Sequence, residues 1–175
     1  MKYSLVISLL IMLMSGCKSK EMLTTVNQLD LNRYQGTWYE IARLPNSFEK
    51  NLSSVTATYT IKANGKIEVI NRGYKNGDKL KSIKGTAWVP NAAYPGRLKV
   101  RFFWPFAGDY YVIFIDENYQ VALVGSPSRN FLWILARQPE IDEATYKNYL
   151  QIASAHNFNI TELIRVDQSL HSTDK

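Results

Sequence analysis

The sequence contains one cysteine, Cys17, and two histidines, His156 and His171, in 175 residues. A single thiol cannot close an intramolecular disulfide, and two histidines without a second cysteine cannot complete a closed zinc site. Disulfide and structural-metal scaffolds are therefore excluded, and no cofactor is called for. No run of Lys or Arg interleaves with stacking aromatics, and the formal charge of +6 is scattered along the chain. A nucleic-acid partner is excluded on that ground. The charge reads instead as a solvated surface with a mild attraction for anionic lipid. No Gly-x-Ser-x-Gly elbow is present, which removes one common hydrolase nucleophile.

What remains is a globular composition, 46% hydrophobic and 21% charged, with 4 Trp, 11 Tyr and 7 Phe. Aromatic and β-branched residues favour sheet. The length suits one domain.

From Tyr3 to Gly16 there is no charged residue, and Lys2 precedes the run. It is too short to span a bilayer comfortably and fits the hydrophobic region of a secretory signal. It ends in Leu13-Met14-Ser15-Gly16-Cys17, which resembles the bacterial lipobox. That resemblance implies cleavage before Cys17, S-diacylglycerol and N-palmitoyl modification of that residue, and, with Lys18 following rather than Asp, an outer-membrane address on the periplasmic face. The chain divides into a signal at 1–16, a lipidated tether at 17–28, a folded body at 29–166 and a polar tail at 167–175, expected to be disordered.

The body alternates short strand-like runs with turn formers, the pattern of an antiparallel barrel or sandwich. Eight strands are expected: Thr37 to Leu44, Val55 to Ile61, Ile67 to Gly73, Ser82 to Val89, Arg97 to Phe103, Tyr110 to Ile115, Tyr119 to Gly125 and Phe131 to Arg137. No long helix separates any pair, so they run up and down in sequence. Eight such strands can hide both edges by closing into an all-β barrel able to hold one small ligand. After it, Asp142 is a suitable N-cap, and Tyr146, Tyr149, Leu150 and Ala153 form one apolar helix face to lay on the outside of the barrel.

Strand parity places Val55, Ala57 and Tyr59 inside, with Ile83, Gly85 and Ala87, and Leu98, Val100 and Phe102. The small residues on the second and fourth strands are expected to leave volume unfilled. Trp38 begins the first strand, Asp116 lies in the turn between the sixth and seventh, and Arg137 finishes the eighth. All three fall at one end, where Arg137 can lie across the indole. Glu40 shares the parity of Trp38 and is expected to be a structural charge paired near Arg137 if buried.

Gly36-x-Trp38, the Asp116 turn and Arg137 resemble the three signature regions of the lipocalins, in order, with a helix after the eighth strand. The text around them, Arg33 to Pro45 and Phe131 to Arg137, is similar to the bacterial outer-membrane lipoprotein lipocalins and their apolipoprotein D relatives, over roughly residues 29 to 166. One departure is Ile115-Asp116 with its tyrosine at 119, where the family usually has Thr-Asp-Tyr. The resemblance also implies a homodimer through an open-end or edge-strand surface as one arrangement.

With the floor at Gly36, Trp38, Asp116 and Arg137, the mouth lies opposite. Phe131, Trp133 and Leu135 share the parity of Arg137 and point inward, giving a long, narrow, apolar lining suited to a fatty acid or lysophospholipid. Trp104-Pro105-Phe106 is an apolar cluster in a mouth loop that contacts lipid, meets a second protomer or folds back as a lid. Lys79, Lys81 and Lys84, with Arg72 and Lys75, are placed near the mouth, either to attract a head group or as a solvated rim. The functional expectation is a membrane-anchored lipid carrier in envelope maintenance or stress, and not an enzyme: prostaglandin-isomerase lipocalins use a thiol in the cavity, and the one thiol here belongs to the anchor. A ligand-free docking lipoprotein is the first alternative and a lipid-modifying enzyme the second.

Overall fold

The computed structural model describes residues 22–172. The expected signal at 1–16, Cys17 and the first residues of the tether lie outside the described residues. A short helix α1 (Leu31–Tyr34) leads in, capped by Asp30, whose Oδ1 accepts from the backbone of Asn32 and Arg33. Eight strands follow: β1 (Gly36–Arg43), β2 (Leu52–Ile61), β3 (Ile67–Lys75), β4 (Lys79–Trp88), β5 (Arg97–Phe103), β6 (Phe106–Ile115), β7 (Val121–Gly125) and β8 (Leu132–Ala136). Consecutive strands pair antiparallel, and β1 pairs with both β2 and β8, closing the barrel. Asn76 and Gly77, at the β3–β4 turn, both have positive φ (55° and 86°), the backbone that Asn-Gly supplies at least cost in a tight hairpin.

Helix α2 (Glu143–Ala155) begins where Asp142 accepts from the Thr145 backbone at 2.8 Å. It lays Tyr146, Tyr149 and Ala153 on the barrel wall, the face expected from their spacing. The Tyr149 hydroxyl donates to the Val121 carbonyl at 2.7 Å. In place of one extended piece at 160–166 there is a 3₁₀ turn (Ile160–Glu162) and a two-residue strand β9 (Ile164–Arg165) on the outer side of β1.

Two hydrophobic cores result. One fills the space between α2 and the barrel exterior, with Ile41, Ala42, Leu123 and Ile134 from the strands. The other lies inside the barrel around Trp38, Ile67, Val69, Leu98, Val112 and Val124. Alternate residues of one strand feed the two cores, which is why β7 and β8 read as near-continuous apolar runs.

Both ends of the described region depart from expectation. Leu23 is buried in the outer core and the Val26 amide donates to Val112 at 3.0 Å, so residues 23–26 of the expected tether pack on the body. The expected disorder of the tail does not hold through residue 172. The Gln168 side chain is buried and donates to the carbonyls of Glu40 (2.8 Å) and Val55 (2.9 Å), and helix α3 (Ser169–Ser172) follows. These contacts are with backbone, so no apolar periodicity advertises them.

Candidate functional site

Gly36 adopts φ +96°, and a Cβ there would stand 3.3 Å from an Arg137 guanidinium nitrogen. The glycine thus lets the chain turn from α1 into β1 directly beneath Arg137. The guanidinium carbon sits 3.8 Å from the Trp38 ring centroid. Its nitrogens donate to the carbonyls of Thr37 (2.9 Å), Arg33 (2.6 Å), Tyr34 (3.1 Å), Gln35 (3.0 Å) and Tyr119 (3.3 Å). Trp38 Nε1 donates to Tyr34 at 2.8 Å. Arg137 therefore satisfies the carbonyls that α1 leaves open at its C-terminal end.

Asp116 holds the β6–β7 turn, its carboxylate accepting from the amides of Asn118 (2.9 Å), Gln120 (2.7 Å) and Val121 (2.5 Å). Tyr119 stands in the closed end despite its shifted position. It has φ 58°, its hydroxyl accepts from the Asp30 amide at 2.9 Å, and Arg33 stacks over its ring at 4.2 Å. The departure from the usual motif is thus absorbed at the floor.

Beside Trp38, whose ring centroid lies 5.0 Å from that of Tyr34, three phenols meet. The Tyr110 hydroxyl is 2.6 Å from that of Tyr34 and 2.8 Å from that of Tyr59. Burial pushes all three well above the ordinary phenol range, and at Tyr110 the neighbouring phenols add to the rise. They form a neutral hydrogen-bonded layer over the floor.

The two halves of the interior differ in accessibility. Toward the floor Trp38, Ile67, Val69, Ala87, Leu98, Val112 and Ala122 are buried, as is Val124 beside Trp133 nearer the mouth, whereas the inward-facing Ile83, Val100, Phe102 and Trp133, and Ala57 opposite Trp38, are only partly so. Leu135 closes the lower half, and Val55 is buried against Gly73. The expectation of unfilled volume beside the small residues needs correction at Gly85: a Cβ there would fall 2.7 Å from the Phe102 ring. Phe102 occupies the space that Gly85 leaves. Phe131 stacks on Trp133 (centroids 6.0 Å, interplanar 6°), and Phe48 lies 5.7 Å from Phe131. These three rings form an aromatic wall at the open end.

Sequence parity missed a buried polar cluster beside this wall. A bulge between Glu40 and Ala42 inserts one residue into β1, so Arg43, outward by strict alternation, turns inward. Two consecutive apolar residues, Ile41-Ala42, were the available signal. Glu40 pairs with Arg43 at 2.6 Å rather than with Arg137. Arg43 also donates to the carbonyls of Glu49 and Leu52, each at 3.0 Å. Glu49 Oε2 accepts from Trp133 Nε1 (3.1 Å) and Asn46 (2.5 Å). Burial, and then the charge of Glu49, push the Glu40 carboxyl well above its usual range against the pull of Arg43. The cluster pins the β1–β2 loop, and with it Phe48, over the aromatic wall.

At the mouth, Trp104 is 82% and Phe106 78% exposed, so this cluster does not fold back as a lid. Lys79 and Lys81 are exposed on the β3–β4 hairpin. Lys84 is not free at the rim, because it pairs with Glu68, which also holds Lys62 at 2.9 Å. The histidines lie apart from the interior. His156 caps α2 and stands 3.4 Å from the Thr24 hydroxyl, and His171 packs edge-on to Tyr39.

A family model described as a lipocalin-like domain matches residues 29–168. The outer membrane lipoprotein Blc of Vibrio cholerae is 40% identical over 159 residues, covering 89% of this chain and 93% of the relative. Its Escherichia coli K12 namesake is 44% identical over 147 residues, covering 83% and 82%. The temperature-induced lipocalin-1 of Arabidopsis thaliana is 39% identical over 159 residues, covering 86% and 85%. Among solved structures, the cockroach allergen Per a 4 superposes with a TM-score of 0.67 at 26% identity, covering 85% of this chain and 94% of its own. Insecticyanin of Manduca sexta matches in fold with the same score at 22% identity, covering 83% and 84%.

Proposed function

Because this chain belongs to the lipocalin family, we propose that it is a lipid-binding protein of the bacterial outer membrane, storing or transporting a lysophospholipid or fatty acid in the open half of its barrel. Cys17 carries the diacylglycerol and palmitoyl anchor, and the barrel works on the periplasmic face in envelope maintenance. A homodimer is compatible with this role and not required by it.

The observation that carries the reading is the contrast between a closed lower interior and an upper one whose inward side chains stay partly open. An acyl chain entering at the mouth meets Trp133, Phe131, Phe102, Val100, Ala57 and Ile83, and stops above the tyrosine layer. The aromatic wall supplies broad apolar area with little side-chain entropy to lose. A docking body with no ligand has no use for such an opening. Among the described residues, nothing in the interior resembles a nucleophile with its base: the Glu40 carboxyl is engaged by Arg43, and the phenols stay protonated.

The test is a fluorescence titration of the chain from Lys18 onward with lysophospholipid, free fatty acid and a diacyl phospholipid. Saturable binding of one single-chain lipid, weakened at least tenfold in Trp133→Ala and kept in Trp104→Ala, is the expected result. Absence of saturable binding by folded, delipidated protein would overturn the carrier role and leave a docking lipoprotein.

A further inference from the structure

Among the described residues, most of the large apolar side chains that are more than half exposed gather at the open end, while the less exposed Tyr94, Phe114, Ile164 and Leu170 lie elsewhere. Phe103, Trp104 and Phe106, at the β5–β6 hairpin, are 69%, 82% and 78% exposed, and Leu80 on the neighbouring β4 is 53% exposed. Phe48 on the β1–β2 loop is 61% exposed, and that loop is tied to the β3–β4 hairpin through the Asn76 amide and the Asn51 carbonyl (3.1 Å). Three adjacent loops thus present aromatic or aliphatic tips around one opening. Contiguous apolar surface of this kind marks an interaction site. The exposed cations Lys50, Lys75, Lys79 and Lys81 stand among these tips, with Asp78 as the acidic residue of the β3–β4 turn. Rings flanked by lysines suit an interface with one apolar and one anionic layer.

The course of the N-terminal segment selects the occupant. Going back along the chain, Asp30 meets Tyr119 at the floor, Val26 bonds to Val112 higher on β6, and Thr24 reaches His156. The His156 carbonyl accepts from Arg129 at 3.2 Å, in the β7–β8 loop at the mouth. The segment climbs the barrel from floor to mouth, and Met22, 72% exposed, is delivered near the open end. Cys17 lies five residues earlier, a reach of at most about 18 Å. An anchor on so short a lead from the mouth end brings the mouth, and not the floor, to the membrane.

We propose that the open end docks directly on the bilayer, with Phe103, Trp104 and Phe106 inserted at the acyl boundary, Leu80 and Phe48 beside them, and the rim lysines on anionic head groups. The barrel mouth then faces the leaflet and a single-chain lipid passes between membrane and interior without crossing water. The orientation rests on the acylation of Cys17 proposed above; the affinity of the tips for lipid does not.

The experiment therefore separates them. The chain from Lys18 onward, lacking the anchor, is mixed with vesicles of phosphatidylethanolamine and phosphatidylglycerol, some carrying brominated acyl chains. Expected are quenching of tryptophan emission that disappears in Trp104→Phe, a roughly tenfold weaker partition for Phe103→Ser/Trp104→Ala/Phe106→Ser, and a further loss in Lys79→Glu/Lys81→Glu. In the acylated full chain reconstituted in the same vesicles, Trp104 is quenched to the same depth. Equal partition of native and triple-variant proteins, or a Trp104 untouched by brominated lipid, overturns docking. So does sedimentation showing a dimer that shields Trp104 without vesicles, which would assign the patch to a second copy. Monoacyl-lipid titration of the triple variant reads the interior alone, so loss of docking with retained ligand binding spares the carrier role, and the converse spares docking.

Discussion

Glu40 and Arg43 meet at 2.6 Å inside the barrel, although an unbroken β1 would put them on opposite faces of the sheet. The bulge that brings them together leaves a carboxyl whose proton affinity is raised by burial and by Glu49. A raised carboxyl favours folding below the unfolded value near pH 4.3 and loses that contribution as pH climbs through the folded value. Glu40→Gln keeps the shape and the acceptor for Arg43 without the titration. The variant should match the native protein in urea near pH 4 and be the more stable of the two at neutral pH. Arg43→Met, which strands both carboxylates, should cost about 3–5 kcal/mol.

Arg137→Ala removes five backbone contacts and the ring contact with Trp38. A loss of about 3 kcal/mol is expected, lowering Tm by roughly 6–12 °C. Arg137→Lys keeps the charge but not the planar fork, so calorimetry should find most of the loss still present. A lysine variant equal to native would mean that charge alone holds the floor.

Gly85→Ala brings a methyl within 2.7 Å of the Phe102 ring and 2.8 Å of the Arg101 carbonyl oxygen, a cost of about 1–3 kcal/mol. In a Phe102→Ala background the ring clash is gone and the carbonyl clash remains. A double-mutant cycle in urea should therefore show a coupling of about 0.5–2 kcal/mol, with the alanine still unfavourable. Additive costs would mean that Phe102 does not fill the space beside Gly85.

Tyr110→Phe takes away the hydroxyl shared by Tyr34 and Tyr59, and chemical denaturation should register a loss of about 1–3 kcal/mol. The three phenols hold their protons in the fold after the unfolded chain has released them. Their contribution is thus complete below about pH 10 and lost above it. In an alkaline titration, their ionisation should coincide with loss of tertiary circular dichroism.

The barrel was legible because its strands alternate and its turns carry Asn-Gly, Pro and Asp at the breaks. Tyr59, Ala87 and Leu98 go to the inner face by parity alone. Parity failed at Arg43, where one inserted residue reverses every assignment beyond it, and at Glu49 and Phe48, whose positions depend on a loop with no period. Gly85 reads as empty space because a strand's own sequence does not reveal which neighbour leans over it. Leu23 and Gln168 read as tether and tail because one buried side chain in a polar stretch leaves no pattern. The floor was clear for the opposite reason: Gly36, Trp38 and Arg137 are each chemically unusual at a strand end, and only a shared site accounts for all three.

Closure joins Tyr39 to Ala136, residues about a hundred positions apart, so the barrel has no finished form until nearly the whole chain is present. Such distant pairing places folding in the slow, millisecond-to-second range of β-rich proteins. Until β8 docks, the inner faces of seven strands and both raw edges of the sheet remain available to other chains. Shielding that half-built sheet is a task for the chaperones of whichever compartment receives it.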